Sequence, residues 1–363
     1  MVSPFVTCVE VAPLISTLRT VRVGAGPVAV VDDAATGHVF VAAAGARRVD
    51  MLDARSGTVL QATTVPGSPI LLAADEASGH VFALLSSGVP DRVSMLDART
   101  GLLLRTVPVG QRPFGIALDA PDGRAFVTGF DDAVLSVLDT HSGAVLRTIP
   151  LYQAHATVVA ADGRAGRVFV ATNAGLDVLD ARHGTVVATP PVSPGALAVD
   201  ETAGRVYGAV GSGVIVLDAR RGTPLRTIAV PGAPGMLALD ASSGRLVVGG
   251  TDTVSVLDAH NNLVLHIIDG GGETIALAVD QRTGQALTVT AGSLGEPVQG
   301  QGGSRGNKQG SGYVSVLDLA TGTLRASISV GRTPAAVAVD ERTGHVFVAN
   351  LDDDTVSVLA LQP

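Results

Sequence analysis

Residues 331–359 read GRTPAAVAVDERTGHVFVANLDDDTVSVL. Three short apolar runs, Ala335 to Val339, His345 to Ala349 and Thr355 to Leu359, are separated by two polar connections. Val-rich runs of this length, bounded by Asp, Gly and Asn, are strand signals. The first run has no polar face, so both of its sides are expected to be buried. The connection Asp340-x-x-x-Gly344 is a hairpin signal. The Asp carboxylate can accept from amides further along the turn, and Gly takes left-handed backbone without a steric penalty.

The same turn recurs at Asp33/Gly37, Asp75/Gly79, Asp119/Gly123, Asp162/Gly166, Asp200/Gly204, Asp240/Gly244 and Asp280/Gly284. A second turn of the same form follows the third strand, at Asp53/Gly57, Asp97/Gly101, Asp139/Gly143, Asp180/Gly184, Asp218/Gly222 and Asp318/Gly322. At Asp258 the glycine's place is taken by Asn262, a residue that tolerates left-handed backbone. A fourth strand comes next, as in Leu103 to Val109. Four short antiparallel strands per roughly 40 residues is the period of a propeller blade. The repeat therefore predicts an all-β chain, an eight-bladed β-propeller of four-stranded antiparallel blades. Residues 1–15 are read as an extension and 16–363 as a single propeller domain.

The eighth blade lacks a fourth strand, because only Ala360 to Pro363 follow Leu359. Leu18–Gly24, LRTVRVG, matches Leu104–Gly110, LRTVPVG. The N-terminal strand is thus expected to complete blade eight beside Val356 to Leu359, closing the ring and covering an open sheet edge.

The stretch GHVFVANLDDDTVSVL resembles the YVTN-type β-propeller repeat, with Val346 to Asn350 at the place of its namesake residues. The preceding VGRTPAAVAVD fits that pattern too, and the likeness covers residues 17–360. Many such relatives have seven blades, whereas eight are counted here. Members are mostly surface or periplasmic proteins, so the resemblance implies a periplasmic or extracellular location. Residues 1–15, without a basic start or a long apolar core, do not read as a secretion signal.

Composition narrows the function classes. Net charge is −8 with no basic cluster, which argues against nucleic acid and anionic membrane surfaces as partners. No apolar run approaches the roughly 18–20 residues of a membrane span. Cys8 is alone, so no internal disulfide forms. The chain has no Trp, which weighs against quinone-cofactor propellers. A monomer without cofactor is expected.

Blade seven is irregular. About 20 extra residues separate its second and third strands, including the Gly-rich stretch 292–312, GSLGEPVQGQGGSRGNKQGSG, with the chain's one lysine, Lys308. This is either a surface insertion or a docking loop on the face shared by the blade connections. Its Gly302-Gly-Ser-Arg-Gly306 matches a nucleophile pattern but lacks the strand–turn–helix context that pattern needs.

Candidate site residues come from one repeat position, just before each first strand: Gly26, Ser68, Arg112, His155, Ser193, Ala233, Glu273 and Thr333. Most are small. Arg112, His155 and Glu273 can carry charge, and Tyr152 and Gln153 lie close by in sequence. His155-Ala156 also breaks the usual x-Pro of this position. Arg112 is read as an anion anchor, with His155 and Glu273 as catalytic candidates and Lys308 as a further contact. Blade three should face blade seven, placing Arg112 and Glu273 across the channel mouth. His38, His80 and His345 share a structural repeat position, and His141, His183 and His260 fall in or beside second turns. The acidic loops Asp131-Asp132 and Asp352-Asp353-Asp354 are weighed as calcium ligands and read as solvated.

The reading is a rigid binding platform for a protein, glycan or small molecule on the channel-mouth face. A propeller lyase or lactonase using Arg112, His155 and Glu273 is the alternative. Resemblance to eight-bladed haem propellers implies a third, with His155 as axial ligand.

Overall fold

A computed structural model describes residues 14–86, 88, 91–152, 155–291 and 311–362. Eight four-stranded antiparallel sheets account for nearly all of it, and the chain is an eight-bladed β-propeller. Blade three shows the pattern: Pro113–Asp119, Arg124–Gly129, Val134–Asp139 and Val145–Pro150 pair in chain order. Blade eight is composite. Ile15–Arg22 lies antiparallel on Thr355–Leu361, with Thr17 opposite Leu359 and Val21 opposite Val356. The backbone bonds of Val23 N–H to Asp354 O (3.0 Å) and Gln362 N–H to Leu14 O (2.8 Å) extend the seam at both ends.

Both turn types form as their residues dictate. The turn glycines all have positive φ, and Asn262 joins them at φ 56°. In the turn after Asp340 the Gly344 N–H bonds the Asp340 carbonyl at 2.8 Å. In blade one, Asp33 Oδ1 accepts from the amides of Ala35 and Thr36. The first-turn aspartates are buried near the axis, while those of the second turns are more open.

The core lies between blades. Phe40, Phe82, Phe126, Phe169, Tyr207 and Phe347 share the middle of the second strand, and all are fully buried. Each such ring removed from water contributes about 1.5–3 kcal/mol. Tyr207 keeps its hydroxyl satisfied by donating to Ala259 O at 2.8 Å, and burial pushes its pKa up to about 12.

Polar side chains at the start of the second strand stitch one blade to the next. His38 Nδ1 meets Ala98 O at 2.9 Å, His80 Nδ1 meets Thr140 O at 2.8 Å, and His345 Nδ1 meets Ala54 O at 2.9 Å. Arg124 does the same to Ala181 O at 2.9 Å. These three histidines occupy consecutive blades, and each is tied to a neighbouring backbone, which is the structural role read from their repeat position.

The position before the first strand is left-handed in Gly26 (φ 64°), Arg112 (47°), His155 (63°), Ala233 (45°) and Thr333 (48°). Left-handed backbone costs an L-residue about 1–2 kcal/mol. Ala233→Gly is therefore expected to stabilise the protein by about 0.5–1 kcal/mol, after the greater unfolded-state entropy of Gly. A thermal melt checks it, with a gain of about one to two degrees expected. Among the described residues, no helix is long and apolar enough to cross a membrane.

Candidate functional site

The blade connections rest on the loops between second and third strands, so both belong to one face. Phe130 N–H bonds Arg112 O at 3.1 Å, His155 N–H bonds Phe130 O at 3.0 Å, and Leu351 N–H bonds Thr333 O at 3.0 Å. Through the first two bonds the loop of blade three holds Arg112 on one side and His155, on the way into blade four, on the other.

The side chains follow. The Arg112 guanidinium stands 4.5 Å above the Phe130 ring and donates to Asp131 Oδ1 at 3.0 Å. Its own backbone N–H is fixed by Asp91 Oδ2 at 2.7 Å. An exposed cation–π contact contributes about 0.5–1 kcal/mol and an exposed ion pair about 0–1 kcal/mol. These contacts orient Arg112 and leave it accessible, with 60% of its side chain exposed. His155 meets the edge of Phe130 at 4.7 Å, and Phe114 lies 5.9 Å away on the same ring. His155 Nδ1 is 3.2 Å from the Asn173 amide nitrogen, in the blade-four loop. Tyr152, on the same connection as His155, is 81% exposed. Behind it, Asp177 is buried, which raises its pKa, while the Tyr152 N–H acts in the opposite direction; one Asp177 oxygen has no partner.

The distribution of aromatic residues makes this cluster distinct. Five phenylalanines and Tyr207 fill the core position of the second strand. Of the remaining described Phe and Tyr, Phe114, Phe130 and Tyr152 fall on blade three and its exit, and Tyr313 lies in blade seven.

The structure thus joins Arg112 to His155 through Phe130, with Tyr152 on the adjoining connection. Glu273 is exposed and makes no ion pair among the described residues. Lys308, Gln153 and the Gly302–Gly306 stretch lie outside the described residues. Phe114, Phe130 and Asn173 were not singled out from sequence, and Asp131 was read there only as part of a solvated acidic loop. The available signal was phase: Phe114 and Phe130 do not occupy the second-strand place of the core phenylalanines.

The acidic loops have work within the fold. Asp132 accepts from Gln111 N–H at 2.9 Å, Asp353 from Arg332 Nε at 2.6 Å and Asp354 from Gly26 N–H at 2.9 Å. These carboxylates cap the blade connections. Chemically, the cluster offers ring faces, a cation and an imidazole facing an amide.

No family profile and no curated protein matches this chain. Solved structures do. The computationally designed Ika8 protein superposes with a TM-score of 0.73 at 17% identity, covering 93% of this chain and 96% of its own. The C-terminal WD40 domain of Sif2 superposes with a TM-score of 0.76 at 11% identity, covering 97% of this chain and 99% of its own. At these identities the likeness is one of fold alone, a β-propeller.

Proposed function

We propose that this protein is a YVTN-type propeller acting as a binding platform, and that it engages a protein partner through Phe114, Phe130, Arg112, His155 and Tyr152. One observation carries the reading: a chain that keeps most of its aromatic rings in the core exposes Phe114 and Tyr152 on blade three and its exit, beside a half-buried Phe130 on which an arginine stacks. Aromatic residues and Arg dominate the binding energy of protein interfaces. Their exposure suits an extended partner better than an enclosed small ligand.

Left-handed backbone at Arg112 and His155 supports the same view. Blade one has Gly at this place, so keeping large side chains here works against stability. Catalysis at His155 has less support, because its Nδ1 faces the Asn173 amide where a base would want a carboxylate. The periplasmic or surface setting implied by the repeat belongs to this proposal.

The test begins with the immobilised protein in an extract of its own cells, followed by titration of the purified partner. Phe130→Ala and Arg112→Ala are each expected to weaken binding at least about tenfold, with Glu273→Ala near wild type. Unchanged affinity in both cluster variants would sink the proposal.

A further inference from the structure

An open groove of about 520 Å³ runs between the outer strand of blade seven and the composite blade eight. It is separate from the cluster on blades three and four. Its size is within the roughly 300–1,000 Å³ of small-molecule sites. Hydroxyl side chains dominate its walls: Thr17 and Thr20 from the N-terminal strand, Ser329 opposite, and Thr355 and Ser357 beneath.

The floor is constructed for donating. Asn350 is fully buried, and its amide nitrogen donates to Thr355 Oγ1 at 3.1 Å and Ser357 Oγ at 3.0 Å. A hydroxyl that has accepted a bond keeps its own proton to give. Asn350 Oδ1 has no partner. Gly331, on the groove lining, leaves this side chain room: a Cβ there would fall 2.5 Å from Asn350 Cγ.

The repeat sharpens the point. In blade two the third-strand Ser94 bonds Thr106 across the sheet at 2.8 Å, and in blade seven Ser315 bonds Ser327 at 2.8 Å. In blade eight Thr20 and Ser357 are opposite one another, but Ser357 is engaged by Asn350 instead and the two hydroxyls do not bond each other. At one end Arg332 and Asp353 form a fixed donor–acceptor pair, with Nε to Oδ1 at 2.6 Å. Val330 is the one apolar side chain on the lining, so the groove has no anchor for a hydrophobic ligand.

We infer that this groove binds a neutral oligosaccharide of two to three sugar units. Its hydroxyls would receive bonds from Thr355, Ser357 and Arg332 and give them to Asp353. The experiment is titration calorimetry of the full chain with maltotriose, cellotriose and triacetylchitotriose. At least one should bind. Thr355→Val, Arg332→Ala and the groove-filling Thr17→Arg should each weaken it tenfold or more, and Phe130→Ala should leave it unchanged. Thr17 is exposed, so its variant remains informative should Thr355→Val fail to fold. Three silent titrations overturn the inference. So does wild-type affinity in Thr17→Arg and Arg332→Ala, or loss of binding in a folded Phe130→Ala protein, which would put the sugar at the aromatic cluster.

Discussion

Deleting residues 14–24 will abolish a stable propeller. The lost strand buries Ile15 and Val23 and shields Val356, Val358 and Leu359, all fully or almost fully buried in the intact ring. Burial of the first two side chains alone contributes about 3–6 kcal/mol. Seven residue pairs between the terminal strands go with them, at about 0.5–1.5 kcal/mol for each hydrogen bond. Set against a total stability of about 5–15 kcal/mol, the expected loss is most of it. The deleted chain should aggregate on size-exclusion chromatography and lack a cooperative melt. A synthetic peptide of residues 13–24, added during refolding, should restore solubility by supplying the strand in trans. A deletion variant that melts at the wild-type temperature would refute the role assigned to this seam.

The second large effect is expected at Asp32, on the innermost strand of blade one, Pro27–Asp33. The equivalent residues of the other blades are Ala74, Leu118, Ala161, Val199, Leu239, Val279 and Val339, all apolar. Asp32 Oδ1 is buried without a partner. Burial first, then the charges of Asp340, Glu76 and Asp33, push the Asp32 pKa up to about 8, with Arg342 acting weakly in the other direction. A carboxyl whose folded pKa is raised binds its proton more tightly folded than unfolded. Its penalty is absent below the unfolded value near 4 and grows as pH rises toward 8. Asp32→Val should therefore leave the melting temperature nearly unchanged at pH 4 and raise it by several degrees at pH 8. An unpartnered buried polar group costs about 1–3 kcal/mol, which sets the scale. A pH-independent gain would show that shape, rather than charge, is at fault.

The acid limb has the opposite sign. Turn hydrogen bonds hold Asp53, Asp139, Asp258 and Asp318 below the usual carboxylate range, from Ser56, Ser142, Asn261 and Thr321 respectively. At Asp97 and Asp180 partial burial pushes upward and the turn bonds outweigh it. Folded pKa values below the unfolded ones give stability that is present above about pH 4 and lost as pH falls through them. Urea titrations at pH 3 and pH 6 should show this loss in wild type and Asp32→Val alike.

The fold was legible because its determinants are local and repeated. Asp340 and Gly344 are four residues apart, and their geometry depends on nothing beyond the turn. Asn262 shows the rule surviving a change of residue. Leu18–Gly24 announced its place by likeness to Leu104–Gly110. The site was legible only as departures from the repeat. Arg112 and His155 stood out because they are large where neighbours are small. Phe130 did not, since its importance comes from Arg112, Phe114 and His155, which two separate segments bring to it. Asp32 broke the repeat as plainly, but its consequence depends on Asp340 and Glu76, contributed by blades eight and two. Tertiary neighbours decide such cases, and no window along the chain contains them.

The pairing of Ile15–Arg22 with Thr355–Leu361 also dictates when the molecule can finish folding. A ribosome adding about 5–20 residues per second makes the first strand roughly 20–70 s before its partner exists. During that interval the segment is a bare β edge with nowhere native to go. Early blades can condense on their own, but the last register waits until Thr355–Leu361 has been made. A long-exposed edge during synthesis, more than fragility afterwards, is the cost of closing a ring with strands so far apart in sequence.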